Sequence, residues 1–168
     1  MYDNVCCFFG HRTIRETDEL RASVADTIER LIVDEKVDTF LFGSKSEFDR
    51  LCLALVTGLK EKYPHVKRIY VRAEYPFINE SYTAYLLKSY DETYYPEKLH
   101  GAGRAAYVKR NYEMIEKSKY CIVYYDEGHI PTTRKSGTKI APATRKSGTK
   151  IALEYAVKKG REIRSFPE

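Results

Sequence analysis

The sequence predicts an α/β fold in which helices cover both faces of a mostly parallel sheet of about five strands. Short apolar runs alternate with amphipathic helical patterns along most of the chain. Such alternation is typical of parallel sheets built with right-handed crossovers. The length of 168 residues suits one domain, 1–168. A domain of this size can bury roughly two thirds of the surface of its unfolded chain.

The first two pairs of strand and helix have the clearest patterns. Residues 5–9, VCCFF, form a continuous apolar run that ends at Gly10, as expected for a strand buried on both faces. From about Thr17 an apolar stripe recurs at helical spacing. Residues 37–43, VDTFLFG, repeat the strand pattern and lead into a second helix that Pro64 closes. Two such units in succession predict neighbouring parallel strands.

The second half of the chain is less regular. Residues 66–73 predict a third strand near an edge of the sheet, and 74–103 form a polar, tyrosine-rich segment that we interpret as a lid or insertion. A helix over about 104–117 then leads into a fourth strand at 120–125. A last helix, ended by Gly160, precedes a short fifth strand in REIRSF.

A tandem duplication lies between the fourth strand and the last helix. The string TRKSGTKIA occurs at 133–141 and again at 144–152, and the loop that contains it spans 127–147. Solenoids need at least about three stacked repeats, so we interpret the first copy as a surface extension. The second copy leads into the helix, and we expect it to supply the polar groups at the helix start.

Composition and charge exclude several classes of protein. Lys and Arg outnumber Asp and Glu by 29 to 24, but the two signs alternate along the predicted helices, which argues against nucleic acid as the partner. No stretch reaches the ~18 apolar residues of a membrane span, and no leader pattern precedes the first strand. We therefore expect a cytoplasmic protein without a membrane partner. The cysteines lack zinc-ligand spacing, so we predict buried thiols, no metal and no cofactor; they are Cys6, Cys7, Cys52 and Cys121.

Small, polar and cationic residues follow the predicted strands, where open parallel sheets bind their ligands. GHR follows the first strand, GSKSEFD follows the second, and SGT begins the last helix. Glycine lets backbone N–H groups approach an anion, hydroxyl groups donate to it, and Arg adds charge. Neither Walker A nor GxGxxG occurs, which argues against an ordinary kinase or dehydrogenase. The candidate residues are Gly10, His11, Arg12, Gly43, Ser44, Asp49, Ser147, Gly148 and Thr149.

These segments also have purely structural interpretations. GHR suits a turn that ends a strand, with its polar side chains facing solvent or capping a helix, and GSKSEFD suits a capped helix. The tyrosines of 75–95 could stack on a base, or they could pack a subdomain core or the interface of a homo-oligomer. The sequence leaves these alternatives open.

Taken in order, CCFFGHR, FGSKSEFD, KRNYEMIEKSKYCIVYYD and SGTKIALEYAVKKG resemble the SLOG superfamily, and within it the YpsA-like bacterial branch. The resemblance covers nearly the whole chain. It implies a Rossmann-like three-layer α/β/α domain whose first loop, second βα loop and late glycine-threonine turn form a nucleotide pocket. It also implies that Arg110 and Asn111, which match an Arg-Asn pair of the family, clamp a phosphate or a ribose-linked anion.

The resemblance favours ligand binding over catalysis. The Lonely-Guy type phosphoribohydrolases of this superfamily use a PGGxGTxxE motif, whereas here the paired glycines are absent and Glu154 lies five residues after Thr149 instead of three. We therefore expect a sensor or sequestering module for a nucleotide or a nucleotide-derived small molecule. One alternative is an N-glycosidic hydrolase or transferase for a nucleoside monophosphate or an ADP-ribose-like molecule, with Glu154 or Asp49 as its carboxylate. The other is a protein-interaction module without a ligand.

Overall fold

A computed structural model describes residues 2–128 and 147–168 of the chain. The described residues form the predicted three-layer α/β/α architecture of Rossmann-like build. In chain order the elements are β1 (Val5–Gly10), α1 (Asp18–Val33), β2 (Thr39–Phe42), α2 (Glu47–Lys62), β3 (Lys67–Val71), α3 (Glu80–Leu86), β4 (Glu92–Tyr94), α4 (Ala106–Glu116), β5 (Tyr120–Tyr124), α5 (Gly148–Lys158) and β6 (Glu162–Phe166).

The six strands of the described ranges form one parallel sheet in the order β4-β3-β2-β1-β5-β6. The chain begins at β1 inside the sheet, moves outward through β2 and β3 to β4, and then crosses to β5 on the other side of β1. Gly10 at the end of β1 pairs with Tyr124 at the end of β5. These two strands flank the point where the order of strands reverses, and open α/β sheets bind ligands at such points.

Helices cover both faces of the sheet. One core lies under α1, α2 and α3 and includes Phe8 and Phe48. The other lies under α4 and α5 and includes Phe9, Met114 and Ala152. Since successive residues of a strand point to opposite faces, the continuous apolar run of β1 supplies both cores. This arrangement confirms that β1 is buried on both sides.

The predicted strands and helices are confirmed, with small changes in their bounds. The apolar stripe of α1 is buried, and the Thr17 side chain caps the helix by accepting a hydrogen bond from the Leu20 N–H at 3.0 Å. Gly160, with a φ of 71°, lies just beyond the end of α5, where a left-handed conformation favours glycine. All the cysteines are free and buried, as predicted.

The tyrosine-rich segment contributes a strand that the sequence pattern does not reveal. β4 pairs with β3 and adds an edge strand to the predicted set. It has three residues and no apolar run, so it gives no periodic signal. The tyrosines of this segment divide into two groups: Tyr75 and Tyr85 are exposed, whereas the other four pack against hydrophobic clusters, namely Tyr82, Tyr90, Tyr94 and Tyr95.

Two further findings concern the described residues alone. None of their helices is both long enough and apolar enough to cross a membrane. They contain no group of His, Cys, Asp and Glu side chains that could hold a metal ion.

The first copy of TRKSGTKIA, at 133–141, lies outside the described residues, while the second copy runs into α5 as predicted.

Candidate functional site

The turn after β1 is hydrogen-bonded to the turns on both sides of it. On one side, the Arg12 carbonyl accepts a hydrogen bond from the Glu47 N–H at 2.8 Å, and the Glu47 carboxylate accepts one from the Ile14 N–H at 2.9 Å. On the other side, the Asp126 N–H, just after β5, donates to Nε2 of His11 at 2.9 Å. The turns after β1, β2 and β5 therefore form one continuous surface at the reversal point of the sheet.

His11 is a buried part of this junction. Its side chain is 3% exposed and lies beside the rings of Tyr124 and Tyr125, at centroid distances of 6.0 and 5.3 Å. Its Nε2 atom accepts the hydrogen bond from the Asp126 N–H, which ties the ring to the turn after β5. His11 therefore does not face solvent, whereas Arg12 is exposed.

Gly10 permits a close approach between β1 and α2. A Cβ atom at this position would lie 2.3 Å from Cβ of the fully buried Phe48. The contact brings the first turn of α2 against the end of β1. The Ser46 side chain caps that turn and accepts a hydrogen bond from the Asp49 N–H at 3.1 Å. The predicted N-cap of this helix is thus present, and its amides lie beside the turn after β1.

The turn after β2 is organised around the Asp49 carboxylate. This group accepts hydrogen bonds from the N–H groups of Ser44, at 3.0 Å, and Gly43, at 3.4 Å, and from the Ser46 hydroxyl at 3.4 Å. Burial raises the pKa of Asp49 to about 6, and the hydrogen bonds from the turn oppose that rise. The amides that the sequence assigns to an anion donate here to Asp49. The turn leaves Ser44 partly exposed and Lys45 exposed.

Arg110 on α4 reaches the same turn from the opposite layer. Its Nη1 donates to the Gly43 carbonyl and, at 3.3 Å, to the Val71 carbonyl, while Nε donates to the Asn111 side chain at 2.9 Å. The side chain is 4% exposed, and burial lowers the pKa of its guanidinium. Arg110 is therefore a buried residue that joins the ends of β2 and β3. Its predicted contact with a phosphate stays a prediction.

The turn after β3 carries two charged residues that are not among the candidates predicted from the sequence. Arg72 donates from Nε to the Tyr75 carbonyl at 3.0 Å and from Nη1 to the Thr93 hydroxyl at 3.1 Å. The Glu74 carboxylate accepts a hydrogen bond from the Tyr107 hydroxyl at 2.7 Å. The position directly after a strand could have identified Arg72, but the pattern of 66–73 assigns it to the strand itself.

An open, shallow depression lies between the turns after β2 and β3, with an accessible volume of about 10 Å³. Its exposed lining is mostly polar, but three tyrosines belong to it, and we call it the tyrosine depression. Tyr75 and Tyr82 meet edge to face in its wall, with their ring centroids 5.7 Å apart. The residues that line it are Lys45, Tyr70, Arg72, Ala73, Glu74, Tyr75 and Tyr82.

α5 begins at the same edge, because it follows β5 and returns antiparallel to the strands. The Ser147 hydroxyl caps it by accepting a hydrogen bond from the Lys150 N–H at 3.1 Å. Thr149 is buried, and Gly148 has open space where a Cβ would lie. Glu154 is exposed further along the helix. The predicted position of the SGT turn agrees with the structure, and its role in ligand binding stays a prediction.

No protein-family model matches this chain, and no curated protein is similar to it at a significant level. Membership of the SLOG superfamily therefore stays a prediction, and a functional proposal has to rest on the geometry of the site.

The site has an inner and an outer set of groups. His11, Asp49 and Arg110 are buried and hold the turns in place, whereas Arg12 and Lys45 are exposed cations. The N-termini of α2 and α5 point to the same edge and carry partial positive charge. Cations and helix N-termini at one edge can hold an anion.

Proposed function

We propose that this protein binds a nucleotide or a nucleotide-derived anion at the carboxyl edge of its sheet, as a sensor or sequestering module. The observation that carries the proposal is the pair of hydrogen bonds that joins three turns, Arg12 to Glu47 and His11 to Asp126. The joined surface lies at the reversal point of a parallel sheet, where ligands bind in this class of fold. Arg12 and Lys45 supply exposed positive charge beside it.

The buried charged groups support this proposal. Burial of a charge is unfavourable unless hydrogen bonds compensate for it, and Asp49 and Arg110 are both compensated by the main chain of the same turn. Their effect is a turn of fixed shape at the surface. Turns that are fixed before a ligand arrives lose less conformational entropy on binding. We therefore assign a supporting role to Asp49 and Arg110 and the direct ligand contacts to Arg12 and Lys45.

Hydrolysis of an N-glycosidic bond is the alternative function for the same site. A pKa of about 6 for Asp49 suits a general acid or base near neutral pH. However, the carboxylate is 3% exposed and accepts hydrogen bonds from its own turn, so a substrate could reach it only if the turn opened. Binding is the function that requires no such change.

The test is a thermal-shift screen of nucleotides with two arginine variants. A ligand at 100 times its Kd adds ~2.7 kcal/mol of stability, which for a domain of this size raises Tm by roughly 5–11 °C. We expect Arg12→Ala to lose most of that shift, because charge-assisted contacts contribute ~1.5–3 kcal/mol. Arg30→Ala is the matched control, since Arg30 is exposed in the last turn of α1, at the other edge of the sheet, where it pairs with Asp26.

The outcomes separate the three hypotheses. A shift of equal size in Arg12→Ala would contradict the proposed site. Absence of a shift with every nucleotide would favour the protein-interaction module. Release of a free base during incubation would establish the hydrolase. Arg110→Ala is a poorer probe, because it would leave the Gly43 and Val71 carbonyls without their buried donor.

A further inference from the structure

We propose that the tyrosine depression binds the planar base of the ligand, with the Tyr75 ring as its stacking surface. The inference rests on the proposed function, which assigns the anionic end of the ligand to the neighbouring turns. If the base site exists, the natural ligand is a nucleotide that carries a base, and a sugar phosphate alone would fill only part of the site.

The depression and the anion site share a residue. Lys45 lies between Ser44 and Ser46 in the turn after β2, and its side chain also lines the depression. In a nucleotide, only a ribose separates the phosphate from the base, so a site for both ends needs a cation and a flat surface close together. Lys45 and Tyr75 provide these two features in one depression.

Tyr75 is exposed and yet firmly anchored. Half of its surface is open to solvent, while its carbonyl accepts a hydrogen bond from Nε of Arg72 at 3.0 Å. Arg72 is fixed in turn by the Thr93 hydroxyl at 3.1 Å and by its own N–H, which donates to the Tyr94 carbonyl at 2.8 Å. About half of the surface of Tyr75 therefore stays available to a ligand after folding. Its ring offers a stacking face whose backbone is already ordered in the free protein.

The chemistry of the depression suits one face of a base. The depression is open and shallow, with room for about one water molecule, so a base would lie across it against the Tyr75 ring and would not be enclosed. Its lining residues include Tyr75 and Tyr82, whose rings are in contact, and the charged residues Lys45 and Glu74. Aromatic faces bind bases by stacking, and polar side chains beside them can pair with the edge of the base.

The test compares probes with and without a base. Affinities of the full chain for the common nucleoside 5′-monophosphates and for ribose 5-phosphate are measured by calorimetry. We expect the tightest monophosphate to bind about 5- to 150-fold more tightly than ribose 5-phosphate, the range that one stacked base provides. Tyr75→Leu should remove this advantage and leave the affinity for ribose 5-phosphate unchanged, whereas Tyr75→Trp should retain it.

Tyr85→Leu is the matched control, because Tyr85 is exposed on α3 and does not line the depression. It should keep the full advantage of the base. Equal affinity of the unaltered chain for ribose 5-phosphate and for every nucleotide, or an advantage that survives in Tyr75→Leu, would overturn the base site and leave the proposed function intact. Failure of every probe to bind, ribose 5-phosphate included, would overturn both.

Discussion

Asp49 is a carboxylate that accepts hydrogen bonds inside its own turn instead of at the surface. Its position in the first turn of α2 could be read from the sequence, because acidic residues stabilise a helix start. The direction of its side chain could not be read from the sequence. An acidic residue near a helix start can turn outward to a ligand or inward to the preceding turn, and only the fold decides. The same holds for Arg110, whose Nη1 donates to main-chain carbonyls at the ends of two neighbouring strands that lie far from it in the sequence.

The raised pKa of Asp49 predicts a specific pH dependence. In the folded protein this pKa is about 6 against an ordinary 3.8, so ionisation of the group opposes folding. The penalty is absent below about pH 4, grows as the pH rises to about 6 and is constant above that. Asp49→Asn keeps an acceptor oxygen and removes the titration. We expect the stability of this variant relative to the unaltered chain to rise by about 2 kcal/mol between pH 4 and 6.

The measurement is urea unfolding of both chains at several pH values. Subtracting one stability from the other removes the contributions of all other titrating groups, because both chains share them. Glu113 is one such group: burial raises its pKa, but hydrogen bonds with Lys117 and Tyr94 lower it by more. A stability difference that does not change with pH would show that Asp49 titrates normally.

Gly43 is predicted to tolerate no side chain. A Cβ would lie 2.7 Å from Cδ of Arg110 and from Sδ of Met114, and neither neighbour can move freely because both are buried. We expect Gly43→Ala to destabilise the protein by ~1–3 kcal/mol. Gly58→Ala adds the same methyl group in the middle of α2, where nothing lies within 4 Å, and should stabilise by ~0.5–1 kcal/mol. Thermal unfolding measures both, and equal effects would contradict the packing described for Gly43.

Among the elements, those buried on both faces were predicted best. β1, β2 and β5 are continuous apolar runs because both of their faces are covered, and their helices show a clear stripe. β4 was missed for the opposite reason, since an edge strand of three residues needs no apolar run. The sequence names the tyrosines of 75–95 as candidates for stacking on a base, but it could not show the depression, because Lys45 and Tyr75 both line it and come from turns after different strands.

The start of α5 leads to a prediction about the duplicated sequence. The second copy of TRKSGTKIA supplies the cap, through Ser147, and the first turn of the helix. Deletion of 133–143 leaves that copy intact, so we expect the nucleotide-induced thermal shift to be retained. Loss of the shift after this deletion would mean that 133–141 contribute to the site.

For the whole molecule, the order of the strands is the property that the sequence could not provide. Alternation predicts a parallel sheet, but the pairing of β1 with β5 joins residues more than a hundred positions apart. That pairing creates the reversal point and brings GHR beside Asp126. The sequence could nominate residues that follow strands. The topology selects which of these residues become neighbours.

The central place of β1 also governs how the chain can be synthesised safely. One edge of β1 can form its hydrogen bonds as soon as β2 has been synthesised. The other edge has no partner until β5, which begins at Tyr120, has been synthesised. A nascent or truncated chain that stops earlier presents an apolar strand with a bare edge, the kind of surface that seeds aggregation. Fragments that lack the carboxyl-terminal third should therefore depend on chaperones.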